Sequence, residues 1–338
     1  MSPLARSLLA FLPLAFAAPA AAAPAEAARI DTAPPASPYR TLATLEARVA
    51  RVGFHLTTAN AGWCPVHQAQ FGWIWGDPRL YDERNRDAAR AAYGAGAADL
   101  PFLAAVAPGS PAAMAGLHVG DTIAAIDDTP VVAPEQDEDP FARIAALETR
   151  MAAAPIGGAV SVSGPGRRFD LHPVAGCVSD FRVEADDSES GGADGRLVLI
   201  SAGLAGFAAD DDELAAAVAH ELAHNILRHR ARLDAADVDR GLFKNFGRSA
   251  RLFRQTEVEA DRLSVWLMQG AGYDPQAAIR FWQRFGTRNG PVLIQPGTHP
   301  RWRDRVSSFE REIAAIQAAQ VAGTALHPPL IDAPPPLE

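Results

Sequence analysis

The segment Ala219–His224, with the sequence AHELAH, decides how this chain is interpreted. It contains the pattern HExxH, and on a helix His220 and His224 lie one turn apart on the same face. Both imidazoles can therefore reach a single metal ion, with Glu221 next to the open side of that ion. Taken alone, the pattern also fits a solvated or core-packed helix with two chance histidines.

The residues before the motif predict the helix that this geometry needs. Asp210 is suited to be the N-cap, and Glu213 occupies the third helical position, as in a capping box. Leu214, Val218 and Leu222 follow at a spacing of four, which is typical of a buried helical face. The motif is therefore expected on the inner face of a helix.

A third protein ligand is expected, because catalytic zinc usually takes three and leaves one position for water. The segment Glu257–Asp261, EVEAD, lies within a second apolar-periodic stretch. Helical phasing places Glu257 and Asp261 on one face and turns Glu259 away. We expect Glu257 to bind one Zn²⁺ with the two histidines, and Asp261 to hydrogen-bond a ligand histidine. An ordinary acidic helix surface is the alternative.

Composition limits the classes of partner. The 338 residues include 48% hydrophobic residues and carry a net charge of -9. Nucleic acids and anionic membranes are bound through clustered Lys and Arg, so neither is an expected partner.

The first 25 residues have the features of a signal peptide. Arg6 precedes the short apolar run Leu8–Ala18, and small residues through Ala25 offer cleavage sites. The run is shorter than the roughly 20 residues that span a bilayer. We expect a periplasmic or secreted protein without an integral membrane span.

The two cysteines, Cys64 and Cys177, are expected to form a disulfide in an exported chain. Two buried free thiols are the alternative.

The pattern along the chain predicts an α+β protein with several regions. A leader and an amphipathic helix occupy residues 26–60, and a small β-rich module occupies residues 61–176. A mostly helical domain covers residues 177–322. A proline-rich tail, residues 323–338, is expected to be extended or disordered because it has few apolar anchors.

The β-rich module resembles a bacterial PDZ domain. The resemblance rests on the segment Pro108–Ala112, on Ala115-Gly116-Leu117 and on Gly120–Ile123. Upstream, Phe71, Gly72 and Trp73 resemble the loop and strand that bind a peptide's C-terminal carboxylate. An alternative is that the aromatic side chains at positions 73 and 75 only pack a core.

The helical part resembles the HtpX and CAAX-prenyl-protease family of zinc metallopeptidases, in its soluble, PDZ-bearing branch. The resemblance is carried by His220–His224, by Glu257–Asp261, and by Thr298-His299-Pro300 followed by Arg305. It implies a zincin-type core, with the PDZ domain inserted or preceding, and zinc on Glu257. It also implies a catalytic role for His299 near the metal, although Pro300 equally suits a helix start.

The expected reaction is peptide hydrolysis. Zinc would activate a water molecule and polarise the scissile carbonyl, while Glu221 passes the water's proton to the leaving amine. The family resemblance implies that Leu197–Ser201 is an edge strand that pairs with an extended substrate. We therefore expect a metalloendopeptidase for exported, misfolded or unfolded proteins, with the PDZ module recruiting C-termini or regulating access.

Two other functional classes are compatible with the sequence. A chaperone-like or scaffolding protein with secondary proteolysis would use the same PDZ module. A metal-dependent hydrolase of a non-peptide substrate would not need an edge strand. Turnover of an unfolded protein separates these classes.

Overall fold

The computed structural model describes residues 37–96, 99–132, 139–238, 247–288 and 300–338. These residues belong to Ala36–Glu338, one of the two units into which the chain divides. The predicted signal peptide, the leader through residue 36, and His299 lie outside the described residues.

Helices account for most of the regular structure, as the α+β class predicted. No helix in the described ranges is both long and apolar enough to cross a membrane. The α-helices are α1 Pro38–Ala59, α2 Arg86–Tyr93, α3 Pro111–Met114, α4 Ala142–Ala152, α5 Ala202–Phe207, α6 Asp211–Ile226, α7 His229–Ala235, α8 Gly247–Gly270, α9 Gln276–Arg288, α10 Trp302–Val321 and α11 Pro329–Asp332. Short 3-10 helices are Ala61–Trp63, Pro78–Leu80 and Glu83–Asn85.

The strands are short and form several small sheets. They are β1 His67–Gln70, β2 Trp73–Gly76, β3 Phe102–Val106, β4 Ala125–Ile126, β5 Thr129–Pro130, β6 Val160–Gly164, β7 Arg167–Leu171, β8 Val174–Cys177, β9 Asp180–Glu184, β10 Gly191–Ala193 and β11 Leu197–Ser201. An antiparallel sheet has the order β5-β4-β6-β7, and β1–β8 and β2–β3 form antiparallel pairs. In a fourth sheet, β11 lies between β9, to which it is parallel, and β10, to which it is antiparallel.

The strand pair β2–β3 contributes to two hydrophobic cores. Ile74 and Phe102 pack in the larger core, which contains residues of α1, α6 and α8. Trp75 and Leu103 pack in the smaller core of the PDZ-like module. Successive side chains of a strand point to opposite faces, so one strand pair can serve both cores.

Helix α1 belongs to the larger core, although the sequence suggested a separate leader helix. Val49 and Leu56 are fully buried in that core. Arg48 Nε donates a hydrogen bond of 3.1 Å to Asp211 Oδ1 at the start of α6. The PDZ-like module, predicted as residues 61–176, is therefore inserted between α1 and the rest of the helical core.

A disulfide joins the two ends of the inserted module. Cys64 follows the first 3-10 helix, and Cys177 ends β8, 113 positions later. Their Cα atoms are 5.4 Å apart, and both side chains are buried. The disulfide predicted from the cysteine count thus ties together the two chain segments that connect the inserted module to the helical domain.

The C-terminal segment 323–338 packs on the helical domain, in contrast to the extended or disordered tail that we expected. It contains α11, whose Leu330 is buried in the larger core. The carbonyl oxygen of Pro335 accepts a hydrogen bond of 2.6 Å from Arg232. Leu326 and Ile331 also pack against that core. These few apolar contacts and the hydrogen bonds to proline carbonyls hold the segment, and composition alone did not reveal them.

A buried carboxyl group links α1 to α2. Glu46 Oε2 accepts a hydrogen bond of 2.7 Å from the hydroxyl of Tyr93. Burial raises the pKa of Glu46 from 4.5 to about 7, although the Tyr93 hydrogen bond opposes this shift. The folded protein therefore binds more protons than the unfolded chain between these two values, and its stability falls as pH rises through that window.

Replacing Glu46 with Gln should remove this pH-dependent loss. Relative to the wild type, Glu46→Gln should gain stability between pH 4.5 and pH 8, by up to about 3 kcal/mol. Urea unfolding at both pH values measures the difference. Equal pH dependence in the two proteins would contradict the assignment.

Candidate metal centre

Helix α6 begins with the capping interactions expected from its sequence. Asp210 Oδ1 accepts a hydrogen bond of 2.8 Å from the N–H of Glu213. Glu213 Oε2 in turn accepts one of 2.9 Å from the N–H of Ala209. These contacts satisfy two N–H groups at the helix start and set the phase in which Leu214 and Leu222 are fully buried.

The structure brings His220, His224 and Glu257 together as a potential metal-binding group. His220 Nε2 lies 3.3 Å from His224 Nε2 and 3.4 Å from Glu257 Oε2. His224 Nε2 lies 3.5 Å from Glu257 Oε1. A tetrahedral zinc site with bonds near 2.0–2.1 Å has ligand-to-ligand distances of about 3.3 Å. The two Nε2 atoms and the Glu257 carboxylate therefore have about the spacing of three corners of such a site.

Helix α8 distributes its acidic residues as the phasing predicted. Glu257 faces the two histidines, and Asp261 Oδ1 lies 3.0 Å from His220 Nδ1. Glu259 lies outside the metal-binding group, at 3.2 Å from His229 Nε2. Arg305 Nη2, a donor, also lies 3.1 Å from His220 Nδ1. When Nδ1 donates its proton to Asp261, Nε2 is left free for a metal.

Arg305 holds Asp261 in place. Its Nε lies 3.0 and 2.9 Å from the two oxygens of Asp261, and both residues are buried. The guanidinium carbon lies 3.3 Å from the ring centroid of Trp282, a cation-π arrangement. A buried carboxyl group needs hydrogen-bond partners, and Arg305 supplies them to Asp261 beside His220.

Two groups of the motif, His224 and Glu221, have pKa values that suit the expected chemistry. Burial and Arg305 oppose the shift at His220, but hydrogen bonds to Asp261 and Glu257 raise its pKa to about 9. Burial lowers the pKa of His224 well below its usual range, so its imidazole is neutral, as a ligand must be. Burial raises the pKa of Glu221 from 4.5 to about 7, an effect that neighbouring His220 opposes. A carboxyl group whose pKa lies near neutral pH can both accept a proton and return it.

The edge strand beside the motif is β10, and the prediction for Leu197–Ser201 was wrong. That segment is β11, which is paired on both sides. β10 pairs only with β11 among the described strands, and its Gly191 is so close to Glu221 that a Cβ there would lie 2.8 Å from Oε1. The sequence did not predict this strand, because Gly191 and Gly192 have low strand propensity.

A cleft of about 970 Å³ contains the motif and β10. One wall is formed by Gly191–Ala193, and another includes the aromatic residues Trp282, Phe285 and Trp302. The cleft can therefore take an extended backbone along β10 and apolar side chains on the aromatic wall.

His229 is a site residue that the sequence analysis did not select. Its Nδ1 lies 2.9 Å from Nδ1 of His224, and it is 2% exposed. On a continuous helix, a residue five positions after His224 points about 140° away from it. Here α6 ends at Ile226, and Arg228, at φ 54°, redirects the chain so that His229 faces back. No periodicity in the sequence predicts this turn.

The predicted peptide-binding residues of the PDZ-like module are partly buried. Phe71 and Trp75 pack in the smaller core, and Trp73 stacks on Phe71 with 4.8 Å between ring centroids. Gly72 has φ +78°, and a Cβ on it would lie 2.2 Å from that of Ser110. Core packing thus accounts for Phe71 and Trp75, and carboxylate binding at Phe71, Gly72 and Trp73 stays a prediction.

Comparison with known families supports both modules. Residues 241–313 match the model of Peptidase family M48. This match includes Glu257, Asp261 and Arg305, and His220–His224 precedes it. Residues 102–149 match the PDZ domain model.

Two yeast proteins are similar to part of this chain. It is 29% identical over 154 residues to the mitochondrial metalloendopeptidase OMA1 of Schizosaccharomyces pombe, over 39% of this chain and 46% of that protein. It is 28% identical over 142 residues to the mitochondrial metalloendopeptidase OMA1 of Saccharomyces cerevisiae, over 35% and 41%. The chain thus spans less than half the length of these relatives. The matches support the predicted enzyme class, and the HtpX and CAAX-prenyl-protease branch stays a prediction.

Removal of the α8 ligand tests the metal centre. Glu257→Ala should lose zinc, because two histidines alone leave the site one protein ligand short. Metal analysis of the purified protein after dialysis measures the zinc content per chain. The exposed Glu310 of α10 offers a matched control, and Glu310→Ala should keep the wild-type content. Equal zinc content in both variants would reject Glu257 as a ligand.

Proposed function

We propose that this chain is a zinc-dependent metalloendopeptidase that hydrolyses peptide bonds in extended polypeptides. One juxtaposition carries the proposal: the group His220, His224 and Glu257 lies in the same cleft as Glu221 and the edge strand β10. The matches to Peptidase family M48 and to two metalloendopeptidases support the same activity.

The residues of the cleft have different roles in hydrolysis. When bound, zinc supplies Lewis-acid chemistry to the scissile carbonyl and to the attacking water. The Glu221 carboxylate accepts the proton of that water and returns it to the leaving amine. Asp261, hydrogen-bonded to His220 Nδ1, keeps that imidazole oriented. His299 stays a candidate for stabilising negative charge on the substrate.

The edge strand defines how a substrate would bind. The outer N–H and C=O groups of Gly191–Ala193 can pair with an extended chain, which adds a strand to the sheet. Pairing through main-chain groups depends little on the sequence of the substrate. A segment that is already folded has no free extended backbone for such pairing. This supports unfolded or misfolded polypeptides as substrates, with apolar side chains placed against Trp282 and Phe285.

We further propose that the protein acts after export, in the periplasm or outside the cell. The support is the signal-like segment 1–25 together with the buried Cys64–Cys177 disulfide. Disulfides form and persist in oxidising compartments.

The role of Glu221 distinguishes an enzyme from a peptide-binding scaffold. Glu221→Gln should lower casein cleavage by about 100- to 10,000-fold, because the amide cannot carry a proton. Its zinc content should equal that of the wild type, since Glu221 is not in the ligand group. Cleavage is followed by release of labelled peptides, with Glu310→Gln as a control that keeps wild-type activity. Undiminished cleavage by Glu221→Gln would reject the proposed mechanism, and a wild type that binds but never cleaves casein would favour the chaperone-like alternative.

The PDZ module favours a second, cooperating function in recruiting substrates by their C-termini. Its support is the match of residues 102–149 to the PDZ domain model, together with the glycine turn at Gly72. A tethered substrate tail raises the local substrate concentration at the cleft without altering the chemical step.

Substrates with a free C-terminal carboxylate should therefore have a lower KM than the same substrates with an amidated C-terminus, at equal kcat. The comparison uses intact enzyme and two versions of one unfolded peptide ending in an apolar residue. A short internal peptide with both ends blocked is the control. Identical kinetics for both versions would leave the module without a role in C-terminal recognition.

A further inference from the structure

The two histidines of the metal-binding group have unlike surroundings. Nδ1 of His220 contacts a carboxylate directly, at 3.0 Å from Asp261 Oδ1. Nδ1 of His224 instead lies 2.9 Å from Nδ1 of His229. The other ring nitrogen of His229, Nε2, lies 3.2 Å from Oε2 of Glu259. His224 is thus connected to the carboxylate of Glu259 through the imidazole of His229.

The direction of these hydrogen bonds follows from the chemistry of imidazole. If His224 offers Nε2 to a metal, its proton must be on Nδ1, and it donates to His229. His229 then accepts at Nδ1, so a neutral ring carries its proton on Nε2 and donates it to Glu259. Glu259, as an ionised carboxylate, accepts only. Every bond in the series has one donor and one acceptor, and a single assignment of protons satisfies all of them.

Two further side chains hold Glu259 in place. Arg232 Nη1 donates to its Oε2 at 2.6 Å, and Gln255 Nε2 donates to its Oε1 at 3.0 Å. These same two side chains also donate to the carbonyl oxygens of Pro335 and Pro336, at 2.6 and 2.8 Å. The carboxylate is only 2% exposed. It therefore has little freedom to turn away from His229.

From this geometry we propose that His229 and Glu259 are positioning residues for the metal centre, which fix the tautomer and ring orientation of His224. The inference rests on the proposed zinc site. It assigns a task to the turn at Arg228, which returns His229 to the cleft. It also gives the C-terminal segment at Pro335 and Pro336 an indirect contact with the metal centre.

A purely structural role predicts different behaviour. In that case the buried cluster of His229, Glu259 and Arg232 only fastens α7 to α8, and its loss lowers stability without selectively changing zinc affinity. The test therefore measures two quantities: the zinc dissociation constant, by competition with a chromogenic chelator, and the free energy of unfolding of the zinc-free protein.

Loss of the intervening imidazole should weaken zinc binding. His229→Phe keeps a ring in the cavity but cannot hydrogen-bond, and it should raise the zinc dissociation constant by about 10- to 100-fold. Glu259→Gln keeps the side-chain shape and should raise it by a smaller factor. The control is Leu252→Ala, which opens a cavity at a fully buried position of α8 and removes no hydrogen bond. It should lower stability and leave the dissociation constant unchanged.

A double variant tests whether the two residues act in series. Once His229 is replaced by Phe, adding Glu259→Gln should change the zinc dissociation constant by less than about 2-fold, because the connection is already broken. Independent, multiplying effects would overturn the series arrangement. A wild-type dissociation constant in His229→Phe would overturn the inference while leaving the metal site intact. A wild type that binds no zinc would reject the proposed function as well.

Discussion

The packing of α6 against α8 is the contact on which the metal centre depends. α6 supplies His220 and His224, α8 supplies Glu257, and the oxygens of Glu257 lie 3.4 and 3.5 Å from the two Nε2 atoms because the helices are closely apposed. Both helices also place small, fully buried side chains in the larger core, Ala219 of α6 and Ala260 of α8. A change that moved one helix away from the other would therefore separate Glu257 from the two histidines.

The acidic residues of α8 face different partners, and this separation organises the site. Glu257 joins the ligand group, Asp261 pairs with Arg305, and Glu259 pairs with Arg232. Two of these carboxylates are almost fully buried, and burial of a charge requires a partner. Each arginine contacts both oxygens of its carboxylate, including the oxygen that lies beside the histidine, so it restrains the carboxylate in the position where it meets that histidine.

Local features of the sequence predicted much of this centre. HExxH, the cap at Asp210 and the phasing of Glu257 and Asp261 all depend on helical periodicity, which a single segment reveals. The features that the sequence missed depend on contacts between distant segments. β10 is defined by its pairing with β11 and not by its glycine-rich residues. His229 reaches His224 only through the turn at Arg228, and the C-terminal segment is fixed by side chains of α7 and α8.

The strand pair β2–β3 has a consequence for how this architecture can change. Ile74 and Phe102 fill one core while Trp75 and Leu103 fill the other, so a substitution that shifts the backbone of either strand disturbs both. The PDZ-like module therefore cannot be exchanged for another PDZ domain without a change in the larger core. A homologous module grafted in its place would have to bring a matching inner face, which ties the evolution of the two parts together.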